Sequence, residues 1–131
     1  MALLEANYNP AVTNGAKIGY NTGTSTSVTQ QTNRTTGVTI SALAGVITTN
    51  NTSLAAETAA TFTVTNTLVD IGDVVVVSMR SGSNGGNTIV FVTTVAAGSF
   101  AITVANNNAA AGTAETGAII INFAVIKAAS A

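Results

Sequence analysis

From Val28 onward the chain repeats one pattern: short runs rich in Val, Ile, Thr and Phe, broken by clusters of Gly, Asn and Ser. Branching at Cβ restricts the side chain against a helical turn and suits extended backbone, so such runs read as strands. TFTVTN (Thr61–Asn66) sets Phe62 and Val64 against threonines, the period-two alternation of a strand with one buried face. Val28–Thr32 and Gly37–Ile40 alternate likewise, and Val46–Thr49 is a shorter candidate. Val74–Met79 (VVVVSM) is a continuous apolar run, as expected of a strand covered on both faces. Thr88–Val95 and Ser99–Ala105 flank the turn Ala96–Gly98 with hairpin spacing, and Gly117–Lys127 is the most hydrophobic strand. Leu54–Ala60 (LAAETAA) alone has helix-forming composition, but at about two turns it is too short to stand by itself and reads as a loop or a single turn. About eight short strands at a spacing of roughly 8–12 residues predict an all-β fold: an antiparallel β-sandwich, jelly-roll-like.

Ahead of this region lies a segment of different character. Residues 1–25 read as an extended N-terminal arm ending in the polar joint NTGTSTS (Asn21–Ser27), with the sandwich domain over 26–131. The arm scatters Leu3, Leu4, Tyr8, Val12, Ile18 and Tyr20 around the single proline, Pro10, with no sustained helix or strand period. It cannot bury much apolar area by itself, so it is either frayed or pinned against a partner. Leu3, Leu4, Tyr8, Ile18 and Tyr20 are its candidate partner contacts.

The residue inventory narrows function by exclusion. Only 7% of the chain is charged, with four Lys+Arg against five Asp+Glu, and it has no His, Cys or Trp. Nucleic-acid binding needs clustered cations to displace counterions, whereas Lys17, Arg34, Arg80 and Lys127 are scattered. Without Cys there is no disulfide framework and no thiolate metal site. Without His there is no Ser-His-Asp base, so the expectation is no enzyme, no metal and no cofactor. No apolar stretch approaches the roughly 20 residues that span a bilayer, which argues against a membrane partner. MALLEANYNP lacks a basic start, and Glu5 interrupts its short apolar run, so the chain is expected to be made in a cytoplasm without a signal peptide. With 47% hydrophobic residues and a net charge of −1, a lone monomer is a solubility risk. Self-association or docking on a larger assembly resolves it.

Four motifs invite sharper readings. Asp70 and Asp73 in VDIGD offer carboxylates to a calcium ion, or else they cap a turn in which Gly72 supplies backbone freedom; the turn is the simpler reading. The glycine-rich SGSNGGN (Ser81–Asn87) lacks the Lys and helix of a phosphate cradle and reads as a hairpin loop. The sequons at Asn33, Asn50 and Asn51 arise by chance in a chain this rich in Asn and Thr. Threonine ladders (Thr22/Thr24/Thr26 and Thr61/Thr63/Thr65) either present hydroxyls to ice or carbohydrate or fill the solvent side of strands.

The stretches SVTQ–T–TTGVTI, DVVVVS, VAAGSF and INFAVIK, spread over about Thr26–Lys127, resemble a small β-domain of tailed-phage virion structural proteins, notably of phages of cyanobacteria and other aquatic bacteria. The resemblance does not extend to Met1–Gly23, and AGVITT at Ala44–Thr49 departs from the pattern. It implies a virion structural protein, with no catalytic residues to carry over. The expectation is a capsid decoration (cement) protein on the capsid exterior. Its partners would be the major capsid protein and further copies of itself, as a homotrimer, with the arm gripping the shell or a neighbour. The alternative is a head- or tail-fibre-type receptor-binding module.

Overall fold

The computed structural model of the protein describes residues 20, 26–82 and 86–128. Its strands are β1 (Thr26–Thr29), β2 (Val38–Thr39), β3 (Ala44–Thr48), β4 (Thr58–Thr65), β5 (Val74–Ser81), β6 (Thr88–Ala96), β7 (Ser99–Asn106) and β8 (Ile120–Ile126), with no helix among the described residues. They form two four-stranded sheets, in the order β1-β3-β8-β5 and β2-β4-β7-β6. The all-β sandwich expected from the pattern is the fold.

Its pairing differs in part from the expectation of antiparallel sheets. The pairs β3·β8, β5·β8, β4·β7 and β6·β7 are antiparallel, but β1·β3 and β2·β4 are parallel. The cause lies in the connections. From β1 to β6 the chain changes sheet at every step, and two successive crossings return it beside an earlier strand running the same way. Only β6 and β7 are both adjacent in sequence and members of one sheet, joined at Ala96↔Ser99 through a turn in which Gly98 has φ 80.

Alternation decides what is buried. In β4 Ala60, Phe62 and Val64 face inward while Thr61, Thr63 and Thr65 face out. Beside them in the same sheet β7 supplies Phe100, Ile102 and Val104, and β8 of the other sheet supplies Ile121, Phe123 and Val125. Phe100 and Phe123 meet across the sheets with ring centroids 5.5 Å apart, tilted by 51°. Each side chain of this size contributes about 1.5–3 kcal/mol by leaving water. Gly45 marks the tightest point: a Cβ there would lie 2.8 Å from a Phe123 ring carbon and 2.9 Å from the Thr26 carbonyl oxygen.

The strand limits shift where loops take over. β1 begins two residues before the expected Val28 and ends at Thr29; the next residue, Gln30, is buried, its side-chain amide donating to Thr36 O (2.7 Å) and accepting from Asn50 N (3.0 Å). LAAETAA is a turn that runs into β4: Thr58 N and Oγ1 both donate to Ala55 O (3.3 and 2.6 Å), and Glu57 takes a left-handed φ of 58. Asn33 and Asn50 each accept from backbone N–H groups two residues on, so these sequon asparagines act as turn residues.

Candidate interaction surface

The run VVVVSM was expected to be covered on both faces, and it is not. Its inner side, Val75, Val77 and Met79, packs against the core. Its outer side is open: Val74 is 54% and Val76 48% exposed, and across the ladder Ile126 of β8 is 54% exposed. A run apolar on both sides normally signals two covered faces, so one cover is absent among the described residues.

Register extends the patch over the sheet. Val74 lies opposite Ile126, while Val76, Ala124 and Ala44 share the next row. Ser78, Asn122, Val46 and Ser27 form the third. None of these positions is charged; Arg80, beside the β-bulge between Met79 and Ser81, stands at the far end. At the near end the loop before β5 adds exposed Leu68 and Ile71. This face is the largest run of solvent-facing aliphatic side chains that the register assembles.

The near end is locked by charge. Lys127, directly after β8, donates to Asp73 Oδ2 (2.6 Å), Asp70 Oδ2 (2.9 Å) and Leu68 O (2.9 Å). Asp73 also accepts from Asp70 N (2.8 Å) and Ala128 N (3.0 Å). Lys127, followed by those two N–H groups, holds the Asp73 carboxyl down at about 2, and the same pairing raises the Lys127 pKa. The VDIGD carboxylates therefore close a turn, with an ammonium where the calcium reading put a metal. Among the described residues no cluster of three or more His, Cys, Asp or Glu could hold a metal ion.

At the other end of the sandwich a buried cation ties three loops together. Arg34 donates to Thr52 O, to Gly117 O (2.7 Å) and to Thr49 Oγ1 (3.5 Å). Beside it the buried Glu115 accepts from Thr88 Oγ1 and Gly117 N. Burial pushes the Arg34 pKa down and the Glu115 charge opposes that shift. Asn66 and Asn106 are similar fasteners, donating to Ala42 O (2.7 Å) and to Leu54 O (3.0 Å). Every buried side-chain polar atom among the described residues has a partner. None of these residues stood out in the sequence as a structural clasp; an Asn just beyond a β-rich run is the one local hint.

The outer face of the second sheet is different. Thr61, Thr63 and Thr65 line it as the ladder predicted, but Thr61 and Thr103 hydroxyls bond each other (2.7 Å) and Thr93 joins them, so part of the array is spent internally. Ile89 and Phe91 stand exposed beside it. Of the arm's candidate contacts, Leu3, Leu4, Tyr8 and Ile18 lie outside the described residues, as do Thr22 and Thr24 and the centre of SGSNGGN. Tyr20 is described: it is partly exposed and its hydroxyl donates to Val125 O, in the strand position next to Ile126.

Comparison of the chain with protein-family models, with curated proteins and with solved structures gave no match.

Proposed function

We propose that this chain is a virion structural protein, a capsid decoration protein that binds the outer surface of the major capsid shell and stabilises it. The observation that carries the reading is the uncharged aliphatic outer face of the β1-β3-β8-β5 sheet, a surface suited to packing against protein rather than to chemistry. The resemblance of the Thr26–Lys127 stretches to phage virion β-domains supplies the setting. A ligand that binds only the expanded, assembled shell stabilises that state by mass action, in proportion to the logarithm of its concentration over Kd. Bound across subunit boundaries, such a protein resists internal pressure without any catalytic step. The partners are the major capsid protein and other copies of the chain, assembled as a homotrimer.

Quantitative mass spectrometry of purified virions tests the reading. A copy number close to that of the major capsid protein, or another simple lattice fraction of it, supports decoration. A few to tens of copies per particle overturns it in favour of a fibre-type receptor-binding module.

A further inference from the structure

We propose that the outer face of the β1-β3-β8-β5 sheet is the seat of the N-terminal segment of a second copy, with that copy's Leu3, Leu4 and Tyr8 packed on Val74, Val76 and Ile126. The inference rests on reading this face as an assembly surface, assigns it to contact between copies, the second of the two partners proposed above, and names the occupant.

Three observations lead there. The face requires an apolar, nearly neutral cover, since its exposed side chains are aliphatic and its rows carry no charge. Residues 1–19 match it in chemistry: they hold Leu3, Leu4, Tyr8, Val12 and Ile18, with Glu5 and Lys17 as their only charged side chains. The route is also fixed at one point. Tyr20 is tied by its hydroxyl to Val125 O, so the segment leaves the domain beside the Val74–Ile126 row, at the rim of the face.

Length selects the neighbouring copy over the same chain. Leu3, Leu4 and Tyr8 all lie more than ten residues ahead of Tyr20, and the intervening sequence has Pro10 and no helical period. Ten extended residues cover roughly 33 Å, whereas the eight residues of β5 span only about 26 Å. Laid out extended from the rim, a segment of this length would outrun its own face before Tyr8, so we seat it on a neighbouring copy. Exchange of such segments around a closed ring satisfies every copy at once, which is how symmetric oligomers avoid leaving one apolar face bare.

The absence of cysteine makes the test direct. Full-length chains carrying Leu4→Cys are mixed with full-length chains carrying Val76→Cys, oxidised, and run on a non-reducing gel, with Thr63→Cys on the opposite sheet as control. The expected result is a Leu4–Val76 disulfide between different chains and none to Thr63. In parallel, light scattering compares the unmodified chain with Leu3→Asp/Leu4→Asp/Tyr8→Asp and with Val76→Asp/Ile126→Asp, each checked for intact β structure by circular dichroism. Both charged variants are expected to lose the oligomer at concentrations where the unmodified chain is fully assembled. A monomeric unmodified chain, an oligomer indifferent to both variants, or a Leu4→Cys/Val76→Cys chain that closes its disulfide within itself overturns the proposal. Virion copy number is measured independently. A lattice-fraction copy number with no exchange leaves decoration standing and removes the seat. Exchange with only a few copies per virion does the reverse.

Discussion

Replacing Arg34 with Met tests whether the sandwich depends on a buried charge to hold its loops. Arg34 is 4% exposed and Glu115 2% exposed. Methionine keeps most of the volume but removes the donors to Thr52 O and Gly117 O and leaves the Glu115 carboxylate without its neighbouring cation. A hydrogen bond to a charged group is worth about 1.5–3 kcal/mol, and two from the guanidinium are lost. Thr52 and Gly117 are exposed enough for water to replace part of the loss, so the lower figure applies to each, about 3 kcal/mol together. For a chain of this size that lowers Tm by roughly 10 °C. Adding Glu115→Gln removes the stranded charge while Gln still reaches Thr88 and Gly117 N, so the double variant regains about 1–2 kcal/mol over Arg34→Met alone. Urea unfolding followed by far-ultraviolet circular dichroism, at one protein concentration, measures all four corners of the cycle. Arg34→Met within about 1 kcal/mol of the unmodified chain, or a cycle that is additive within about 0.5 kcal/mol, refutes the clasp.

Four further outcomes follow from the same structure. The Asp73 carboxyl is held down at about 2 in the fold, so its contribution is complete above the ordinary carboxylate range and is lost as pH falls from about 5 toward 2; urea midpoints measured across that range should fall less steeply in Asp73→Asn than in the unmodified chain. Gly45→Ala forces a Cβ against Phe123, Ile40 and the Thr26 carbonyl and should cost about 1–3 kcal/mol by chemical denaturation. Gly72→Ala meets no atom but must adopt φ +95, so its cost should be smaller, about 1 kcal/mol, in the same assay. Phe62→Ala, fully inside the sandwich, should cost about 3–5 kcal/mol, and a value under 1 would mean that this strand does not face the core.

What the sequence determined by itself is what depends on neighbours along the chain. Alternation in TFTVTN assigned Phe62 and Val64 inward and the threonines outward, because the period of a strand is a property of the backbone alone. The turn after Val95 was legible from its glycine, and the Asp70–Asp73 turn from its spacing. The rest had no local signature. Whether Val74 and Val76 are covered depends on which layers stack on β5, and four valines in a row look the same with one cover or with two. The parallel pairs β1·β3 and β2·β4 arise from successive crossings between sheets, which a list of strands does not contain. Arg34 reads as a scattered surface cation until the fold brings Thr52 and Gly117 to it from loops far along the chain. Tertiary structure decided these points because burial and pairing are relations between distant segments, settled only when the two sheets close on each other.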